Sequence, residues 1–538
     1  MTIYLDYAAT TPVDPRVAAA MVAVLSDPEA QANPASATHG PGLAARERVE
    51  AARAQVAALI GAAAPEIVFT SGATEANNLA LSGVAAAWKR ANPKAGATRA
   101  HFVSSRAEHK SVLDTLKALE RDGFGVTLLD PDEAGRVAPE AVRLALRPDT
   151  LMVSLMLANN EIGVLNDIAA IAPLVRAHGA LMHTDASQAA GKLPLDVQAL
   201  GVDLLSLTAH KFYGPKGIGA LYVREGARPR VAPIQFGGGH ERGLRSGTLA
   251  THQIVGFGVA AALAQEQGAR DAAHARDLAA RLWRELESID AVEFNGHRGE
   301  RVPGLLNFSF PGVEGESLIT GLPEIAVSTG SACSSATREP SYVLRALGRS
   351  TELAQSSLRL SLGRFTTAAD VDAAATAIRA EVSRLRALAG TGPAPTPAAA
   401  GRVPPPVGSL LLRSLNTLAR RYFLASPRPP EFTTGALPAD VRQGRAGRAE
   451  EGIAVLFELR TSAGESGGRI VKSARFTAYG CPHTLAVTAW LCEVLEGSRL
   501  DAGPPGTPQD WAEKFEVPVE KLGRLLIVED ALRAAFAP

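Results

Sequence analysis

The strongest constraint on the fold is a regular alternation of short apolar runs with helical patterns across residues 1–260. The apolar runs are 67–71, 101–105, 126–130, 151–157, 179–185, 202–208 and 219–225. Helical patterns separate several of them, at 41–60, 111–122 and 167–178. Strands that alternate with helices in this way predict an α/β fold, with a mainly parallel sheet covered by helices.

The composition changes after this first part, so we divide the chain into domains. A long helix rich in Ala, Arg and Glu is predicted at about 257–288, and shorter strands follow it. We assign residues 1–260 to a large domain and residues 261–388 to a smaller α+β domain. Residues 1–15 are a candidate for packing with the smaller domain.

A segment rich in Pro, Ala and Gly interrupts the pattern at residues 389–408 and predicts an extended linker. Residues 409–538 then form a third unit. We predict that it opens with a helix, continues with strands at 453–462 and 470–480, and ends with helices.

Charge and cysteine content narrow the function classes. Lys+Arg and Asp+Glu both number 55, which argues against direct binding of nucleic acid. We see no secretory leader and no apolar stretch of about 18 residues, so we expect no membrane span. The chain has 3 cysteines, too few for a disulfide framework, so we expect a reducing, cytoplasmic compartment.

Polar residues stand where several predicted strands end, and in such sheets ligands bind at the carboxyl ends of the strands. Asp185 ends one strand and Lys211 follows the next. A pyridoxal cofactor needs this pair, because the lysine holds it covalently and the carboxylate keeps its pyridine nitrogen protonated. A surface ion pair or a strand-end cap is the alternative explanation for the two residues alone.

Two further strand ends favour the cofactor. Gly72 and Thr74 lie at a strand-to-helix turn, where free backbone N–H groups favour a phosphate. His109 follows another strand, although a single histidine is more often structural. The string Thr208-Ala-His210-Lys211 adds a hydroxyl and an imidazole beside the lysine.

The motifs together resemble those of the cysteine desulfurase family, of the type that serves bacterial iron–sulfur cluster assembly. They are LDYAATTP, NPAS, SGATEANN, EHKSVLD, NNEIG, DASQ, HKFYGPKGIGALY, RSGT, STGSACSSA, EPSYVLRALG and SSLRLSLGRFT. The resemblance covers nearly all of residues 1–385. It implies a fold-type-I pyridoxal-phosphate enzyme with a seven-stranded sheet, working as a homodimer on L-cysteine.

The resemblance also implies a role for each matching residue. Lys211 would hold the cofactor, and His109 would stack on its ring and move protons as a catalytic residue. Asn160 and Arg359 would orient the substrate carboxylate. The implied cofactor-binding residues are Ala73, Thr74, His109, Asn160, Asp185, Gln188, Thr208, His210, Lys211 and, from the other subunit, Thr248.

Cys333 lies in the small, polar segment VSTGSACSSATREPS, which predicts a loop rather than core. A sparse cysteine in such a chain is either an inert core thiol or a reactive one. The family resemblance implies that Cys333 is the nucleophile that takes the substrate's sulfur as a persulfide. A sulfur-acceptor protein, such as an iron–sulfur scaffold, would receive it, and Cys333 could then share a cluster ligand site with that partner.

Two other functions remain open at this point. One is selenocysteine lyase or another fold-type-I enzyme such as an aminotransferase. The other is a catalytically inactive platform for sulfur relay.

The third unit resembles an iron–sulfur scaffold protein of the U type. The resemblance rests on RFTAYGCPHTLAVTAWLCEVLEG and VEKLGRLLIVEDALRAAF. Only Cys481 matches a ligand position, and Gly523-Arg524 stands where a His-Cys pair is expected. Cys492, with apolar neighbours, is predicted to lie in the core. Because an ordinary cluster needs about four ligands, we expect a degenerate scaffold domain that holds a cluster only transiently, if at all, with Cys481 as its metal or persulfide candidate. A purely structural appendage is the alternative interpretation of this unit.

Overall fold

The structure is a computed structural model, and it describes most of the chain. The described residues are 2–28, 32–93, 100–329, 340–390, 412, 415–425, 432–433, 436–463 and 468–537. Cys333 and nearly all of the predicted linker at 389–408 lie outside them.

The described residues contain strands and α-helices that we number in chain order. The strands are β1 (Ile3–Tyr4), β2 (Ile67–Thr70), β3 (His101–Ser105), β4 (Gly125–Leu129), β5 (Thr150–Ser154), β6 (Leu181–Asp185), β7 (Leu204–Thr208), β8 (Gly219–Val223), β9 (Glu293–Phe294), β10 (Leu305–Ser309), β11 (Ile325–Ala326), β12 (Ser357–Ser361), β13 (Val441–Arg448), β14 (Ile453–Ala463) and β15 (Arg469–Tyr479). The helices are α1 (Pro15–Ser26), α2 (Gly40–Leu59), α3 (Ala73–Ala91), α4 (Lys110–Arg121), α5 (Pro139–Ala145), α6 (Ile168–His178), α7 (Val197–Leu200), α8 (Thr251–Glu287), α9 (Gly315–Thr320), α10 (Tyr342–Ala346), α11 (Thr351–Gln355), α12 (Ala368–Ala389), α13 (Thr417–Leu424), α14 (Pro482–Leu495), α15 (Pro508–Phe515) and α16 (Leu522–Phe536).

A seven-stranded sheet forms the centre of the large domain, in the order β2-β8-β7-β6-β5-β3-β4. Only β8 runs antiparallel to its neighbours β2 and β7. Strands β3, β6, β7 and β8 are buried along their whole length, as expected for a sheet covered on both faces. All seven apolar runs predicted from the sequence are strands of this sheet, so the mainly parallel α/β fold is confirmed.

The smaller α+β part follows α8, a helix of 37 residues that begins at Thr251 rather than near residue 257. Its strands form the antiparallel sheet β12-β10-β9. The first strand of the chain, β1, pairs in parallel with β11, so the N-terminal segment crosses from this part to the large domain.

The C-terminal unit has an antiparallel sheet, β13-β14-β15, packed against α16 and α14. Strand β13 was not predicted, because its sequence VRQGRAGR has two glycines and four charged or amide side chains in place of an apolar pattern. The apolar core of this unit is continuous with that of the smaller α+β part. None of the described helices is long and apolar enough to cross a membrane.

Candidate active site

A chain of hydrogen bonds joins Asp185, at the end of β6, to His109, at the start of α4. One oxygen of Asp185 accepts from the Asn77 amide at 2.8 Å, and the same amide nitrogen donates to the Ser111 hydroxyl at 2.8 Å. The Ser111 oxygen lies 2.8 Å from His109 Nδ1. The second Asp185 oxygen accepts from the backbone N–H of Ser187 at 2.9 Å. The carboxylate is therefore held in one orientation.

The imidazole of His109 caps helix α4, and this fixes its neutral tautomer. Its Nδ1 accepts from the backbone N–H of Ser111 at 3.1 Å, so in the neutral ring the proton lies on Nε2. Burial lowers the pKa of His109, Asp185 opposes this, and the charge of Lys211 lowers it further. A neutral imidazole of this kind can accept or pass on a proton near pH 7.

The ammonium group of Lys211 lies against the N-terminal segment, just after β7. Its Nζ donates to the carbonyl oxygens of Ala8 and Ala9, the latter at 2.9 Å. The amide of Gln188 donates to the same Ala8 carbonyl at 2.8 Å. Lys211 and Gln188 therefore converge on one acceptor, and Asp185 lies on the neighbouring strand.

The turn between β2 and α3 presents backbone N–H groups at the start of a long helix. Gly72 caps α3 with a φ of 153°, which favours glycine. A Cβ on Gly219 would lie 2.7 Å from the Gly72 backbone, so β8 can approach the turn only because it starts with glycine. The hydroxyl of Thr208, at the end of β7, would lie 3.8 Å from a Cβ added to Gly72. Backbone N–H groups at the start of a helix of 19 residues suit an anion.

His210 borders the same region and is held neutral. Its Nδ1 lies 3.2 Å from the Thr10 hydroxyl. Burial lowers its pKa to about 4, and the charges of Lys211, Lys216 and Lys192 add to that effect. A neutral imidazole can donate one hydrogen bond to a phosphate oxygen.

Arg359 on β12 faces the site from the smaller α+β part. It donates to Asp6 Oδ1 at 2.8 Å and to the Asn160 carbonyl at 3.0 Å. Its Nε and the Asn160 Oδ1 are buried and have no hydrogen-bond partner in the described part of the chain. Buried polar atoms without partners are costly, so the two atoms indicate a place for a polar ligand.

The remaining candidate residues lie at different distances from this centre. Ala73 and Thr74 open α3. Arg245 binds Glu75 on the same helix at 2.8 Å, which ties the segment before Thr248 to this turn. Among the described residues no hydrogen bond joins Thr248 to the Gly72 turn. Cys333 lies outside the described residues.

Sequence reasoning missed two contributors. Asn77 links Asp185 to Ser111. It lies in the motif SGATEANN, of which only the initial turn was interpreted as a binding feature. Asp6 pairs with Arg359 across 353 positions of the chain, a separation that no local pattern reveals. For Asn77, the one signal in the sequence was its spacing, which places a polar residue on the buried face of α3.

The residues present fit pyridoxal phosphate. Lys211 provides the amine that would hold its aldehyde, and Asp185 provides a buried carboxylate for its ring nitrogen. The Gly72 turn, Thr208 and His210 form the anion side. Such a cofactor acts as an electron sink for bonds at the substrate's α-carbon.

Comparison with known proteins agrees with this geometry. Residues 3–374 match the family model described as Aminotransferase class-V. The cysteine desulfurase IscS of Aeromonas salmonicida is 55% identical over 388 residues, covering 72% of this chain and 94% of that protein. A solved structure titled NIFS-LIKE PROTEIN shares 35% identity, with a TM-score of 0.64, and covers 70% of this chain and 98% of that one. A structure titled SspA in complex with cysteine shares 36% identity with a TM-score of 0.58, and covers 68% of this chain and 100% of that one.

The chain therefore belongs to the class-V aminotransferases, whose fold-type-I architecture has the mostly parallel central sheet found here. Within that family it is a pyridoxal-phosphate-dependent cysteine desulfurase.

The Cys481 region of the C-terminal unit lies against the smaller α+β part. Cys481 is 1% exposed and precedes α14. Glu314 and Arg524 both lie within electrostatic range of its sulfur. Lys521 binds Glu316 across the same contact. Within the part of the chain that the structure describes, no group of three or more His, Cys, Asp or Glu side chains is placed to hold a metal ion.

Cys492 has a different environment. It is 8% exposed, packs in the apolar core, and has its thiol pKa raised, chiefly by burial. A thiol whose pKa is raised is a poor nucleophile near pH 7.

Proposed function

We propose that the enzyme converts L-cysteine to L-alanine and leaves the sulfur as a persulfide on Cys333. The substrate's carbon–sulfur bond breaks and a sulfur–sulfur bond forms to Cys333. The proton that the Cys333 thiol loses balances the proton that alanine gains at its β-carbon. In overall balance, cysteine plus the Cys333 thiol give alanine plus the Cys333 persulfide. The placement of Lys211 and Asp185 at adjacent strand ends, with Arg359 facing them, is the observation that supports this proposal.

Each side chain then has a task that suits its surroundings. Arg359 and Asn160 bind the substrate carboxylate, because each has a buried polar atom that lacks a partner among the described residues. Neutral His109 moves a proton at the substrate or at Cys333. Lys211 would hold the cofactor and would also move the α-proton of the substrate. The phosphate is held by Ala73, Thr74, Thr208, His210 and a partner subunit's Thr248. The enzyme is then a homodimer, located in the cytoplasm.

The persulfide on Cys333 is the sulfur source for iron–sulfur cluster assembly or a related transfer, through an acceptor protein. A ligand role for Cys333 in a cluster shared with a scaffold partner belongs to the same proposal. The C-terminal unit is a degenerate scaffold-like domain, and we propose that it docks without holding a cluster. Its support is the near-complete burial of Cys481, whose sulfur interacts electrostatically with Glu314 and Arg524.

The test compares variants of the full chain with bound cofactor, each with one cysteine replaced. The enzyme is given isotopically labelled cysteine, and alanine is measured together with persulfide-bearing peptides by mass spectrometry. Cys333→Ser should lose at least about a hundredfold of the alanine formation, because it removes the sulfur acceptor. Cys481→Ser is the matched control and should keep the wild-type rate, with label on Cys333 alone. Undiminished alanine from Cys333→Ser would overturn the proposal.

A further inference from the structure

Lys192 is a charged side chain beside the site to which the proposed reaction gives no task. It lies in the turn that follows β6, four residues after Gln188. Its Nζ donates to Gln188 Oε1 at 2.9 Å. Burial lowers the pKa of Lys192 to about 7, and the positive charges of Lys211 and Arg359 act in the same direction. The chain thus keeps an amine close to two other cations, which is unfavourable without a compensating role.

The contacts of Gln188 show what this amine does. Gln188 is 3% exposed, and its Nε2 donates to the Ala8 carbonyl at 2.8 Å. A carbonyl oxygen only accepts, so the amino group of the amide must face Ala8. When Lys192 is protonated, its ammonium group only donates, so the amide oxygen then faces Lys192. Ala8 and Lys192 therefore select the same orientation of the Gln188 amide, which could otherwise flip and exchange its oxygen and nitrogen.

That orientation matters because of the position of Lys211. The Nζ of Lys211 donates to the same Ala8 carbonyl as Gln188 does. The Gln188 amino group, with one N–H bound to Ala8, therefore lies beside the atom that would hold the cofactor. An amide turned the other way would present an acceptor at this place.

We propose that Lys192 is a positioning residue that holds the Gln188 amide with its N–H groups toward Lys211, and so toward the phenolic oxygen of the cofactor, the atom that the family resemblance implies Gln188 reaches. This inference deepens the proposed function and rests on it, together with the role in cofactor binding that the family resemblance implies for Gln188. Lys192 itself touches neither cofactor nor substrate in this arrangement.

The consequence is measurable in the absorption of the bound cofactor. Negative charge on the phenolic oxygen favours a proton on the nitrogen that joins the cofactor to Lys211. A donor at that oxygen shares the charge and weakens its hold on the proton. Loss of the donor should therefore move the pH midpoint of the visible band upward, by about half a pH unit to one unit.

The experiment is a double-mutant cycle on the full chain with bound cofactor, read as the absorption midpoint against pH. Lys192→Met and Gln188→Ala should each raise the midpoint, and the double variant should shift no further than Gln188→Ala alone. Lys192→Arg keeps a donor and should restore the wild-type midpoint. If Lys192→Met fails to fold, Lys192→Gln replaces it in the cycle.

Two outcomes would overturn the inference. One is an unmoved midpoint in Lys192→Met. The other is additive shifts in the double variant, because the lysine would then act through space by its charge and not through Gln188. The proposed function fails separately, if the wild-type enzyme forms no alanine from cysteine or places no persulfide on Cys333.

Discussion

At the scale of single residues, Lys211 is the side chain whose loss should be most visible. Among the described residues, Lys211 is the only amine that both follows β7 and lies beside Gln188. In Lys211→Ala no other side chain can therefore hold the cofactor covalently. We expect loss of the visible absorption band and of alanine formation by at least about a thousandfold. Lys216→Ala, five residues on and exposed, is the control and should retain both. A retained band in Lys211→Ala would contradict the assignment.

A second residue-scale prediction concerns the buried pair of Arg53 and Glu241. Their side chains are 3% and 1% exposed, and two hydrogen bonds of 2.7 Å join them. Arg53→Met should lower the free energy of unfolding by about 3–5 kcal/mol, because it leaves a buried carboxylate without its partner. Chemical denaturation in urea measures this.

The matched control for the buried pair is exposed. Arg143→Met removes the partner of Glu140 on α5, where the two side chains are 54% and 62% exposed. It should change the free energy of unfolding by less than about 1 kcal/mol. Equal losses in Arg53→Met and Arg143→Met would show that burial of the first pair has no energetic weight.

The site was predictable from the sequence to the extent that strand ends determine it. Asp185 and Lys211 follow apolar runs, and parallel strands bring their carboxyl ends to one edge. The contacts that hold these side chains in place were not predictable from the sequence. Asp6 reaches Arg359, and Ala8 receives Gln188 and Lys211, only because β1 pairs with β11 far along the chain.

At the scale of secondary-structure elements, β13 shows both the limit of pattern reading and a packing prediction. Its Gly444 lies under α16, where an added Cβ would stand 2.1 Å from the Ala535 nitrogen and 2.2 Å from the Ala531 oxygen. The strand contains glycine because the helix backbone approaches it, and that glycine weakens the strand signal. Apolar alternation alone therefore could not reveal this strand.

Gly444→Ala should destabilise the C-terminal unit by about 1–3 kcal/mol or more, since backbone on both sides must shift. Hydrogen exchange of β13 and α16 in the full chain measures this. Gly523→Ala, in α16 with nothing near its added Cβ, is the control and should leave exchange unchanged or slower. If the amides of Gly444→Ala kept wild-type protection from exchange, α16 would not be closely packed against β13.

At the scale of the whole molecule, the C-terminal unit and the smaller α+β part share one apolar core, and a buried carboxyl lies where they meet. Burial raises the pKa of Glu314 to about 7, and Glu316 and Cys481 act in the same direction while Arg524 opposes them. In the unfolded chain the pKa of this carboxyl returns to its ordinary value of 4.5. The folded state therefore binds more protons between these two values, and the contribution of Glu314 to stability falls as pH rises through this interval.

Glu314→Gln keeps the size of the side chain and removes its charge. Its melting temperature minus that of the wild type should therefore increase from pH 5 to pH 8, because only the wild type must bury a carboxylate at the higher pH. Ser317→Ala is the control at the same contact, since Ser317 donates to the Gly480 carbonyl at 2.7 Å and does not titrate. Its difference from the wild type should stay constant with pH. A constant or falling difference for Glu314→Gln would mean that the carboxyl is already solvated in the folded chain, and that the two parts do not seal it between them.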